Sequence, residues 1–124
     1  MPRSLFLAVG HHGLRLTSPD GKTWSAPALG KEGETFRAAA GGNGRLVAVG
    51  GFGGANVFAA TADGAKWEAA TQDAKYVRYV RGLGVGNGRF LGLGGDPVSV
   101  GLAKPFGLLS GDGLKWDGPH DIPG

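Results

Sequence analysis

The chain has no cysteine, one methionine and three histidines, and charged residues fill 19% of its 124 positions. Without cysteine there are no disulfide staples, no thiolate nucleophile and no Cys-ligated zinc, and the redox compartment stays open. No apolar run approaches the ~20 residues of a membrane span. Leu5-Phe6-Leu7-Ala8-Val9 is too short for the apolar core of a secretory leader. No leader or membrane segment is therefore expected in this chain, and its localisation is left unassigned. Thirteen Lys and Arg against ten Asp and Glu give a net charge of +3. That excess suits an anionic ligand but falls far short of a nucleic-acid footprint.

Glycine is what the chain has in excess. It supplies 26 of the 124 residues, about three times its average share. Long helices are thereby excluded, since Gly costs ~1 kcal/mol per helical position. A glycine-rich chain without internal order would be disordered, whereas one with a repeat has many tight turns between short strands.

The chain does repeat. Ser18-Pro19-Asp20-Gly21-Lys22-Thr23-Trp24 returns as Thr61-Ala62-Asp63-Gly64-Ala65-Lys66-Trp67 and as Ser110-Gly111-Asp112-Gly113-Leu114-Lys115-Trp116. A second element, Gly42-Asn43-Gly44-Arg45-Leu46-Val47-Ala48-Val49-Gly50, returns as Gly86-Asn87-Gly88-Arg89-Phe90-Leu91-Gly92-Leu93-Gly94, and Leu5 to Gly10 is a partial third copy. Asn-Gly and Asp-Gly between apolar runs are hairpin signals, because a type I′ turn needs positive φ at both central residues. Each unit therefore reads as four antiparallel strands, A to D. In the second unit these run through Phe36 to Ala40, Leu46 to Val49 and Val57 to Ala60, with the fourth beginning at Trp67. Four strands in about forty residues is the period of a β-propeller blade. The expected fold is all-β, with residues 1–124 forming one repeat domain. Blade one spans 5–29 and lacks strand A, blade two spans 35–71, and blade three spans 77–118.

The Ser/Thr-x-Asp-Gly-x-x-Trp element resembles the Asp-box, or bacterial neuraminidase repeat, in a compact form with one residue fewer between Asp and Gly. The resemblance covers nearly the whole chain. It implies a β-propeller of the kind found in sialidases, sortilin-type receptors, photosystem assembly factors and secreted bacterial proteins, a spread that fixes no single function. It also implies a structural box: Ser18, Asp20, Gly21 and Trp24 in blade one, Asp63, Gly64 and Trp67 in blade two, Ser110, Asp112, Gly113 and Trp116 in blade three. The Asp takes backbone N–H groups of its own turn, Gly supplies positive φ, and Trp packs between adjacent blades. Calcium or sugar binding at these boxes is the minor alternative.

Three blades do not close a ring, for which four to eight is usual. An open arc would leave apolar faces at both ends. The expectation is a homodimer closing six blades through a heterologous contact, the alternative being the remaining blades of a longer propeller.

By family topology the B–C and D–A loops share the face on which ligands bind. Arg37 and Arg81 stand six residues before Asn43 and Asn87, and arginine captures carboxylate or phosphate bidentately. The plainer reading pairs them with Glu32, Glu34 or Asp73. His11 and His12 lie in the first B–C loop, Phe52 in the second, and Asp96 in a third enlarged from Pro97 to Lys104. Adjacent histidines are poor joint ligands for one ion, so no metal and no cofactor is expected. Lys75 to Arg81 interleaves aromatics with positive charge, as a single-stranded nucleic acid would need, but reads more plainly as strand A of blade three. Gly50-Gly51-Phe52-Gly53-Gly54 lacks the Lys-Ser/Thr of a phosphate loop. Sialidase chemistry, as the resemblance implies, needs three arginines, a Tyr–Glu pair and an acid. The Phe/Tyr-Arg-Ile-Pro motif of those enzymes is absent, and Arg37, Arg81, Tyr79 and Glu34 supply only part of the set. The expected function is a non-catalytic binding or scaffold module for a glycan, peptide or protein. The alternatives are a fragment of a sialidase-like glycoside hydrolase and a repeat with no ligand.

Overall fold

The structure is a computed structural model and describes residues 6–30, 32–52, 55–73, 80–94 and 106–122. Among these the chain is all β: β1 (Phe6–Val9), β2 (Arg15–Ser18), β3 (Thr35–Gly42), β4 (Arg45–Phe52), β5 (Ala55–Thr61), β6 (Glu68–Asp73), β7 (Val80–Gly86), β8 (Arg89–Gly94), β9 (Phe106–Ser110) and β10 (Asp117–Asp121). No helix in the described residues could cross a membrane. The strands form three antiparallel sheets: β1-β2, β3-β4-β5-β6 and β7-β8-β9-β10.

Turn chemistry explains the meanders. Asn43-Gly44 and Asn87-Gly88 take positive φ at both residues and close the pairs Gly42↔Arg45 and Gly86↔Arg89, the geometry of a type I′ hairpin. The β1–β2 hairpin uses His12-Gly13 in the same way, both with positive φ, and the Leu14 N–H donates to the His11 carbonyl. The strands of the second unit extend a residue or more beyond the sequence expectation at most ends, and β6 begins at Glu68 rather than Trp67. The first unit differs more. Where a fourth strand was expected from Trp24, only an isolated Arg15↔Ala28 bridge forms. Pro27, next to that bridge, has no N–H to give a ladder.

The sheets stack on one another. Along β5 every residue from Asn56 to Thr61 is buried, because both faces of its sheet are covered. Phe58 and Ala60 join Val47, Val49, Val80, Phe90, Phe106 and Leu108 between the second and third sheets. Val57 and Ala59 point the other way, with Phe36, Ala48 and Trp67, toward Val9 of the first sheet. That is the period-2 alternation of a strand buried on both sides. Each large side chain so buried contributes ~1.5–3 kcal/mol.

Tryptophan fills equivalent places in both stacks. Trp116 lies over Phe58 at 4.5 Å between ring centroids and 23° between planes, and its indole N–H donates to the Gly113 carbonyl at 3.0 Å. Trp67 lies under the Arg15 guanidinium at 5.3 Å. Arg15 stands where Phe58 stands in the next unit, three residues before the Ser/Thr of the turn, so a cation–π contact replaces ring stacking there. Trp24 has no such neighbour among the described residues and is 41% exposed, unlike the other two rings. No described sheet precedes its own.

Candidate functional site

The repeated Asp-Gly turns are built almost identically. Ser18 Oγ donates to Asp20 Oδ1 and accepts the N–H groups of Asp20 and Gly21, while Asp20 Oδ1 accepts from Lys22 and Thr23 at 2.8 Å each. Thr61 and Asp63 repeat every one of these bonds, with Ala65 and Lys66 as donors to the carboxylate. In the third turn Ser110 Oγ donates to Asp112 Oδ1 and accepts the Gly113 N–H, and Asp112 Oδ1 accepts from Leu114 and Lys115. Gly21, Gly64 and Gly113 all have positive φ. Hydrogen bonds from the Thr23 and Lys22 amides hold the Asp20 carboxyl below the ordinary value of 3.8. The Lys66 and Ala65 amides do so for Asp63, and the Lys115 and Leu114 amides for Asp112. These carboxylates serve their own turns. Among the described residues no three His, Asp or Glu come together as a metal-holding group.

The two ends of the stack differ in chemistry. One end carries the Asn-Gly and Asp-Gly turns, tied together where Asn43 Nδ2 donates to the carbonyls of Gly88 and Gly111. The other end carries the starts of β3 and β7 and the β1–β2 and β4–β5 connections. There His11 bridges to Thr35, Thr35 pairs with Gly51 next to Phe52, and the Val80 N–H donates to Asn56 Oδ1 at 2.9 Å.

At that second end both sequence-expected arginines occupy a β-bulge. Phe36 pairs with Gly50 and Ala38 with Val49, leaving Arg37 as the extra residue. Val80 pairs with Gly94 and Gly82 with Leu93, leaving Arg81 in the same role. A bulge bends the strand and re-aims the side chain it carries. Gly50 makes the first bulge possible, since a Cβ there would run into the Thr35 carbonyl. Each bulge is also anchored to the preceding sheet through the residue before its arginine. The Phe36 N–H donates to the Gly10 carbonyl at 3.1 Å, as the Val80 N–H does to the buried Asn56. Strands β3 and β7 lie against each other, and each carries its arginine in the bulge near its start.

Arg37 and Arg81 are exposed and form no ion pair among the described residues. The expected pairing of Arg37 with Glu32 or Glu34 does not occur. Glu34 is instead buried, its carboxylate folded against Gly13 and Gly30, neither of which has room for a Cβ. His11 and His12 are exposed in the β1–β2 turn two residues from the start of the arginine bulge. The backbone of Phe52 ends β4 at the same end. Asp96, the enlarged segment from Pro97 to Lys104, and Lys75 to Tyr79 lie outside the described residues.

The bulges and the Asn56 clasp escape sequence reasoning. The run Phe36-Arg37-Ala38-Ala39-Ala40 reads as an unbroken strand, and a buried Asn in an apolar strand carries no partner in its spacing. The one available signal is Gly50 and Gly94 at the same repeat position. No protein-family model matches the chain, and no curated protein or solved structure matches it either.

Proposed function

We propose that this chain is a non-catalytic, propeller-type binding module whose arginine-bearing end takes a carboxylate of a glycan or an acidic peptide. The single observation that carries this reading is the pair of bulged, exposed arginines, Arg37 and Arg81, on adjacent edge strands, neither of them in an ion pair among the described residues. Each guanidinium presents a planar fork of donors that suits a carboxylate. His11 and His12 add exposed hydrogen-bonding side chains at the same end. The three Ser/Thr-Asp-Gly turns lie at the far end and serve the scaffold. In a ring, β3 and β7 would face the central opening, and the ring would be completed by self-association.

The test is titration calorimetry with sialyllactose, polyglutamate and neutral lactose at two salt concentrations. Binding of an anionic probe that Arg37→Ala and Arg81→Ala each weaken ~10-fold, with the loss smaller at high salt, is the expected result. Equal affinity for neutral lactose, or anion binding indifferent to both arginines, would refute the reading.

A further inference from the structure

The stack repeats one docking rule, and among the described residues its two outer faces carry the two halves of that rule without a partner sheet. Within the chain, the third sheet docks on the second through Phe90 and Trp116. Phe90 lies against Val47 and Ala60, and Trp116 against Val49 and Phe58. The repeat equivalences convert these contacts into named positions at the ends. Phe6 stands where Phe90 stands, one residue after the first residue of the partial Leu5 to Gly10 copy, and Trp24 stands where Trp116 stands. Both are among the most exposed large apolar side chains of the protein, at 55% and 41%.

The opposite outer face presents the receiving positions. Leu91 and Leu93 on β8 correspond to Val47 and Val49, and Gly107 and Leu109 on β9 correspond to Phe58 and Ala60. Leu93 is 39% exposed, whereas Val49 is fully buried. At the place of Phe58 the third sheet has the buried Gly107, near which Leu91 and the exposed Ile122 lie. A large ring on the incoming side thus meets a position that carries no side chain of its own. The same complementarity is made inside the chain with a cation at Arg15 and with a ring at Phe58.

We infer that a second copy of this chain covers this face, with its Phe6 over Leu91 and Leu109 and its Trp24 on Leu93 and Ile122 across Gly107. The inference rests on the self-association included in the proposed function and specifies its surface. The contact is head to tail: each copy offers Phe6 and Trp24 at one end and receives them at the other. Such a heterologous contact closes only if the rotation per copy divides a circle. Burying two exposed aromatics at its centre gives it the character of a hot spot.

The test is the solution mass of the full chain, by light scattering on a sizing column and by native mass spectrometry, for the wild type, Trp24→Ala and Leu93→Lys. Both substitutions fall on exposed side chains, so circular dichroism should be unchanged. The wild type is expected as a discrete closed oligomer, with association weakened at least ~30-fold in each variant. Because Trp24→Ala retains the receiving face and Leu93→Lys retains the ring, an equimolar mixture of the two should regain association that neither shows alone. A wild type that stays monomeric up to high micromolar concentration overturns self-association itself, and with it this surface. A wild-type oligomer untouched by both substitutions leaves self-association standing and overturns only the surface assigned here. An oligomer weakened by one substitution and untouched by the other overturns the head-to-tail arrangement, since a contact between like ends uses only one of the two faces; one weakened by both but not rescued on mixing overturns it as well.

Discussion

The aspartates of the Asp-Gly turns show how a single residue type sets both a turn and a pH response. Each accepts two backbone N–H groups and a hydroxyl on one oxygen, which favours the charged form. The folded-state value lies below 3.8 in all three, so the folded chain takes up these protons less readily than the unfolded one. The linked stability is fully present above the unfolded value, near pH 4, and is lost as pH falls through the folded values. Thermal melts should therefore hold a constant midpoint from pH 7 to about 5 and drop below about 4. Asp63→Asn should lower the midpoint at pH 7 and flatten the acid limb relative to wild type. An acid limb of equal slope in the variant would show that these carboxylates are not the titrating groups. Because the turns lie at the end away from Arg37 and Arg81, anion affinity in the folded variant should be unchanged.

At the scale of the strand, the bulges are where glycine and an amide side chain do what the hydrophobic pattern cannot. A Cβ on Gly50 has no space beside the Thr35 carbonyl, so Gly50→Ala must push β3 off its register at Arg37. The expected cost is ~1–3 kcal/mol by urea midpoint, together with a drop in anion affinity comparable to that of Arg37→Ala. Asn56→Leu removes the acceptor of the Val80 N–H, and a buried donor left without one costs ~1–3 kcal/mol. An affinity that survives Gly50→Ala would separate the bulge from the binding end. The contrast with the hairpin turns explains what the sequence made legible. Asn-Gly and Asp-Gly are local signals, since two residues fix their own φ, and the four-strand units in the second and third repeats follow from them. The arginine positions were legible too, through their fixed offset from Asn43 and Asn87. Their bulges were not, because a bulge depends on the strand opposite, at Gly50 and Gly94. His12 in a left-handed turn was equally hidden, since the hairpin signal is Asn-Gly or Asp-Gly and not His-Gly. The fourth strand expected from Trp24 failed for a legible reason, Pro27, that the strength of the repeat outweighed.

At the scale of the whole molecule, the described sheets follow one another as a short one-dimensional array, with the core clusters lying between successive sheets. The consequence is an uneven stability. A two-stranded sheet is marginal by itself, so β1-β2 persists through what the second sheet offers it. Those contacts are the Phe36 N–H on the Gly10 carbonyl, Val9 in the cluster of Phe36, Ala48, Val57 and Ala59, and Arg15 over Trp67. The second and third sheets share the larger interface, with Phe58, Phe90, Phe106 and Leu108 all fully or almost fully buried. Removing the Trp67 ring should therefore detach the first sheet before the others unfold. In Trp67→Ala, amide hydrogens of β1 and β2 should exchange ~10–100-fold faster, while those of Val47 to Val49 and Phe58 to Ala60 keep most of their protection. Phe58→Ala should act oppositely, costing ~3–5 kcal/mol and lowering protection on both sides of the central interface at once. If Trp67→Ala instead lowers protection evenly across all strands, the three sheets form a single cooperative unit. The first sheet would then be as integral to the fold as the other two. Its exposed Phe6 and Trp24 would gain from a docked copy no more order than they already have, so oligomer assembly would leave β1-β2 exchange unchanged.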